Sequence, residues 1–190
     1  MGRTGPHRDP ELTAKILAST HELICTKGPR AVTINEIAAH AGVGKQTIYR
    51  WWPTKASVVI DALEQQFASD NPFPTTGSAK DDLRAQMRAV ARTFSSPTGS
   101  MIRELVAQSQ GDPALADDLR TRFVAERRSG GATALRAGID HGQIRADLDI
   151  EIALDLLYAP LWMRMLLGHQ PLDEPSVDAI VDQVWPALAA

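Results

Sequence analysis

Residues Thr33 to Lys55 read TINEIAAHAGVGKQTIYRWWPTK, and the reading of this stretch decides the fold. Thr33 and Glu36 have the T-x-x-E spacing of a capping box, in which the hydroxyl accepts from a first-turn N–H and the carboxylate reaches back to the cap. Ile34, Ile37 and Ala38 then recur at helical spacing and give a short helix one apolar side. Ala41-Gly42-Val43 interrupts it, with Gly42 free to take the positive φ of a sharp turn. A second short helix is predicted from Gly44 through Trp51, with Pro53 ending it and opening the next. Two short helices joined by a tight glycine turn form a helix-turn-helix. The second helix carries Lys45, Gln46, Thr47, Tyr49 and Arg50, and leaves Ile48 and Trp52 to hold it in place. So polar a face on so short a helix is hard to justify by packing, and it reads as a recognition helix for the DNA major groove.

Residues 11 to 60 resemble the N-terminal domain of the tetracycline-repressor (TetR) family of bacterial transcription regulators. The matching pieces are a first helix ending in Thr26-Lys27-Gly28, then Thr33 to Ala38, Ala41-Gly42-Val43, and above all Thr47-Ile48-Tyr49-Arg50-Trp51-Trp52-Pro53-Thr54-Lys55. Together they are specific, and they cover about a quarter of the chain. Trp52 stands where many relatives carry Phe, and both are large aromatic anchors. Lys45, Gln46 and Thr47 are expected at base edges. Thr33, Tyr49, Trp51 and Lys55 are expected at phosphates, together with Arg50 and Arg30. Lys55 falls in a first helical turn, where a cation is poorly placed for the helix dipole and a docked phosphate would relieve it. The resemblance implies the same role.

Charge distribution supports this reading more than total charge does. The 190 residues sum to −3, yet residues 1 to 56 hold eight Lys or Arg against four Asp or Glu, a net of +4. The remainder holds twelve against nineteen, a net of −7. An electrostatic footprint confined to one domain looks like this. With 44% hydrophobic and 23% charged residues, the composition is that of a globular chain able to bury a core. Cys25 is the single cysteine, which excludes an intrachain disulfide and fits a buried, inert thiol in a reducing compartment. The polar N-terminus and the lack of a long apolar run point to the cytoplasm and away from a membrane.

Outward from the central stretch, residues 1 to 9 read as a flexible arm whose Arg3 and Arg8 suit DNA phosphates. A first helix is predicted from Pro10 to Lys27, stopped by Gly28-Pro29. A fourth runs from Pro53 to about Ser69, and the turn-rich Asn71 to Gly77 follows. Further helices are predicted at about Lys80 to Phe94, Met101 to Ser109, Asp112 to His141, Ile150 to Gly168, and from Asp173 onward. Gly130-Gly131 costs about 1 kcal/mol per glycine relative to alanine and predicts a bend or a close contact. Pro160 predicts a kink. No segment alternates like a strand. The fold class is all-α: an N-terminal three-helix helix-turn-helix DNA-binding domain, residues 10 to 56, and a C-terminal helical ligand-binding and dimerisation domain, residues 57 to 190.

The last two helices carry surplus apolar surface, as a subunit interface does, and the resemblance implies a two-fold homodimer built from them as a four-helix bundle. Met87, Phe94, Met101, Leu105, Phe123, Tyr158, Trp162 and Met165 are candidates to line a pocket for an apolar effector. Residue by residue an ordinary core is the favoured reading; what raises a pocket is the resemblance to a family whose members typically bind a small molecule there. Arg103, Glu104, Arg164 and His169 are candidate polar contacts. No metal or cofactor is called for: His21 and His40 lack second ligands at metal spacing and read as surface or cap residues. No G-x-S-x-G, Gly-rich phosphate loop, H-E-x-x-H or C-x-x-C occurs, so the chain reads as a non-enzyme. The expected function is a ligand-responsive transcription regulator, with repression preferred because occupying a promoter needs only binding. Its partners would be a double-stranded palindromic operator, a small-molecule effector and a second copy of the chain. The alternative is a helical adaptor that uses its helix-turn-helix for protein contacts.

Overall fold

The computed structural model describes residues 9 to 190, so the predicted arm with Arg3 and Arg8 lies outside the described residues. α1 (Pro10–Lys27) begins where the Asp9 carboxylate accepts from the N–H groups of Glu11 and Leu12. Its inner face buries Ile16, Leu23 and Ile24. α2 (Ile34–Ala41) starts with the complete Thr33–Glu36 capping box and ends at Gly42, whose φ of 68° is left-handed. α3 (Lys45–Trp51) follows two residues later. α4 (Lys55–Asp70) corrects one expectation: Pro53 does not open it. Thr54 is the cap, in a reciprocal box with Ser57, because a side-chain acceptor satisfies an orphan N–H that proline could only delete. α1 packs along α4 and against α2, which holds the short helices in place.

α5 (Ala79–Phe94) and α6 (Pro97–Ser109) meet at a tight corner. α6 starts four residues before the predicted Met101, since Ser96 caps it with Pro97 in the first turn. A Cβ on Gly99 would stand 1.9 Å from the Phe94 carbonyl oxygen, so only glycine permits this corner. The predicted long helix from Asp112 is α7 (Pro113–Asp118), a π-helical turn (Leu119–Val124) and α8 (Ala125–Asp140) in one continuous run. Its irregularity is therefore the π turn, and α8 continues through Gly130-Gly131. Those glycines make the close contacts instead: added Cβ atoms would come 3.1 Å from the Phe73 ring and 2.6 Å from Leu154.

α9 (Ile150–Leu167) is capped by Asp149 and runs on through Pro160. α10 (Glu174–Leu188) is capped by Asp173 and packs on α5 through a ladder of ion pairs. Lys80 and Arg84 reach Asp182 at 2.8 Å each, Arg88 pairs with Asp178, and Arg92 reaches Glu174 at 2.7 Å. The chain end closes on the α8–α9 loop, where Arg145 N–H donates to the Leu188 carbonyl at 3.0 Å. Among the described residues there is no strand beyond one isolated bridge between Ile144 and Ala189. No helix among the described residues is long and apolar enough to cross a membrane. The buried apolar side chains form one connected cluster from Ile16 to Leu188, so the reading helices and the larger helical body share a core.

Candidate nucleic-acid interface and ligand cavity

α3 is fixed by its inner side. Ile48 is fully buried and Trp52 nearly so, each such burial worth about 1.5–3 kcal/mol. With Ile48 turned in, Lys45, Gln46, Tyr49 and Arg50 are exposed, Tyr49 by 45%, while Thr47 and Trp51 are half-buried at the edges. Among the described residues no hydrogen bond or ion pair engages the side chains of Lys45, Gln46, Tyr49 or Arg50. Elsewhere arginines are mostly committed, as the α5–α10 ladder illustrates. The contrast leaves a cluster of donors and acceptors facing solvent on a rigid support.

Two predicted phosphate contacts have other engagements. The Thr33 hydroxyl is inside the capping box, accepting from Glu36 N–H and donating to the Glu36 carboxylate at 3.0 Å. Lys27 joins the same carboxylate at 2.8 Å and, with the Thr33 bonds, holds the Glu36 pKa down to about 2. The Lys55 ammonium turns inward and donates to the carbonyls of Pro29 at 2.9 Å and Val32 at 3.0 Å. Its unfavourable place at a helix N-terminus is thus offset by two backbone acceptors of the α1–α2 loop. One of its three N–H groups stays uncommitted. Arg30, the other basic residue near this edge, pairs with Glu104 of α6 at 2.7 Å.

Links from the reading helices to the body run through α4 and α1. The Trp52 indole N–H donates to Asp61 at 2.7 Å, and Arg122 from the π turn donates to Asp61 and to Glu64. Burial raises the Glu64 pKa, and the Arg122 charge only partly offsets it. On α1, His21 is not the surface residue its isolation suggests. It lies half-buried against α6, 3.1 Å from the Thr98 hydroxyl, and burial lowers its pKa. Cys25 beside it is pushed up by burial, as an inert thiol is.

A cavity of about 440 Å³ opens between α4, α5, the π turn, α8 and α9. Of the predicted lining residues, Phe94, Phe123, Tyr158 and Trp162 are on its wall. Met87, Met101, Leu105 and Met165 are not; all four are buried as core filling. None of Arg103, Glu104, Arg164 and His169 is on its wall; Arg103 and Glu104 border a separate shallow hollow. The structure adds Phe67, Phe73, Val90, Asn71, Gln86 and Arg127. Phe67 and Phe123 meet edge to face at 5.2 Å, and Phe94 and Trp162 at 5.0 Å. The i, i+4 spacing of Phe123 and Arg127 was the one sequence signal for the added polar group. Phe73 was hidden in a proline-rich stretch read as a boundary, which here forms cavity wall.

A short, solvent-facing polar helix mounted on a body with an internal cavity defines a class, the helix-turn-helix transcription regulators. Comparison with known proteins gives the family. Residues 16–62 match the model for bacterial regulatory proteins of the tetR family, and residues 73–184 match that for the tetracyclin repressor-like C-terminal domain. An uncharacterized HTH-type transcriptional regulator of Bacillus subtilis, YdeS, is 35% identical over 190 residues, covering all of this chain and 96% of the relative. A DNA-binding transcriptional repressor, TetR, of Mycobacteroides abscessus is 29% identical over 90% of each chain. The crystal structure of TetR family transcription regulator SCO0332 superposes with a TM-score of 0.87 at 32% identity, covering 95% of this chain and 100% of that one. The chain belongs to the TetR family, and it is a DNA-binding transcription regulator.

Proposed function

We propose that the protein binds a palindromic operator as a homodimer, represses transcription there, and is released by a small molecule in its cavity. It acts in the cytoplasm and catalyses no reaction. The observation that carries this is the outer face of α3, where Lys45, Gln46, Tyr49 and Arg50 are exposed without internal partners. Lys45, Gln46 and Thr47 lie in its first turn and read base edges. Thr33, Tyr49, Arg50, Trp51 and Lys55 hold the backbone, Lys55 through its remaining N–H. Residues 10 to 56 are the reading domain and 57 to 190 the effector and dimer domain, with α4 belonging mechanically to both.

Dimerisation is supported by α9. Ile152, Leu156, Met163 and Leu167 are 54%, 47%, 52% and 67% exposed on one stripe of that helix, a contiguous apolar surface of the kind that marks an interaction site. An isologous contact of α9 and α10 with a second copy covers it and spaces two α3 helices along one DNA face. Release is supported by Phe67 of α4 and Phe123 of the π turn sharing the cavity wall, since the same two elements are joined by the Asp61–Arg122 pair. A ligand that favours one setting of α4 shifts the population of operator-competent spacing.

Gln46→Ala tests the reading. Selection from random duplexes is expected to return an altered preferred site at one position in each half-site, with about 1–3 kcal/mol less discrimination there. A uniform loss across all sequences would make Gln46 a backbone contact, and no DNA binding by the unaltered protein would favour the adaptor.

A further inference from the structure

Resting on the reading of the cavity as the effector site, we infer that its effector is a flat apolar anion, a ring system carrying a carboxylate. The wall supplies a body and a head. The body is aromatic: Phe67, Phe94, Phe123 and Trp162 offer ring faces and edges to a planar apolar molecule. The head is made of hydrogen-bond donors. Arg127 lies on this wall with its guanidinium carbon 5.5 Å from the Phe67 ring centre and 6.0 Å from that of Phe123. Among the described residues it makes no hydrogen bond or ion pair, and Glu64, whose carboxylate feels its charge weakly, is already held by Arg122. Stacked on two rings, the guanidinium keeps its planar fork of N–H groups for a ligand that matches it, as a carboxylate does bidentately.

Gln86 points the same way. It is 5% exposed and on the wall, and its Oε1 accepts from the Tyr158 hydroxyl, which leaves the amide NH₂ with no protein acceptor among the described residues. That amide donor is not sealed away from the cavity, so it is free to bond an acceptor that a ligand brings. The cavity's acids do not compete. Asp155 is held by Arg128 at 2.6 Å, and Glu126 is exposed at the rim. The second arginine of the wall is thereby spent on the protein, and Arg127 is the cation left to an effector.

The experiment is calorimetric titration of the full-length protein with 2-naphthoate, 2-naphthamide and 2-naphthylmethylammonium near neutral pH. These probes share a ring system and differ in head charge. Naphthoate is expected to bind about tenfold or more tightly than the amide, as a charge-assisted pair within a partly buried site requires. Arg127→Gln should remove that preference while leaving amide affinity within about twofold, and Arg127→Lys should keep part of it. Thermal melting of both variants checks that they are folded. Equal or tighter binding of the amide or the ammonium overturns the anionic class and leaves the cavity as an effector site. Silence from all three probes overturns both.

Discussion

Lys55 illustrates how far a residue's type determines its role. Its place in a first helical turn announced an unfavourable cation in need of a partner, and that need was legible. The partner was not, because the Pro29 and Val32 carbonyls come from a loop more than twenty residues earlier in the chain. Lys55→Met therefore strips two charge-assisted hydrogen bonds and leaves two carbonyls without a donor. We expect a loss of about 2 kcal/mol in urea unfolding, in addition to any effect on DNA. An unchanged midpoint would return Lys55 to a purely DNA-facing role. Glu36 was legible as a cap, since a capping box is written within four residues, while its pairing with Lys27 of α1 was not. Its pKa lies at about 2 in the folded chain against an ordinary 4.5, so the unfolded state binds the proton more readily as pH falls. The stability it contributes is present above pH 4.5 and disappears as pH falls towards 2. Glu36→Gln should accordingly melt below the unaltered protein at neutral pH, with the gap closing through that acid window. A gap that stays constant with pH would show that the carboxylate charge is not what holds the cap.

At the scale of elements, the helices whose caps are spelled out in sequence were legible: Thr33 for α2, Asp149 for α9 and Asp173 for α10 each accept from first-turn N–H groups. Pro53 misled because proline fits a first turn in general, while Thr54 with Ser57 satisfies more of this one. The π turn at Leu119–Val124 had no local mark. The extra residue it accommodates coincides with Arg122 reaching Asp61 and Glu64 and with Phe123 entering the cavity, and these are contacts with α4 that no local pattern encodes. Such turns recur at functional positions in helices. For α9, near-continuous apolarity pointed to more than one buried face, and the exposed stripe is the face we propose for a partner. Leu156→Glu with Leu167→Glu places two carboxylates on that stripe. Light scattering should then report a monomer with unchanged helical content, against the dimer expected of the unaltered protein. A double variant that stays dimeric would remove α9 from the interface.

For the whole molecule, the charge asymmetry and the two-part division of labour could be read from the chain, and the family match spans both parts. The cavity could be read only in part. Methionines and aromatics are the residues of a cavity wall and equally of a filled core, so Met87, Met101, Leu105 and Met165 could not be told from Phe94, Phe123, Tyr158 and Trp162 by type. Packing separates them: the first four sit where helices close fully, the second four where α8 and α9 stand off from α4 and α5. A single core joins α1 and α4 to α6 and the π turn, and it is the route by which, on the proposed reading, filling the cavity would change the spacing of two reading helices. The central claim, a dimer that reads a palindrome, is tested most directly by footprinting the purified protein on the intergenic DNA beside its own gene at a low and a high salt concentration. The account predicts a protected two-fold site whose affinity falls steeply with salt, as several phosphate contacts require. A folded dimer that protects no DNA at either salt would contradict it.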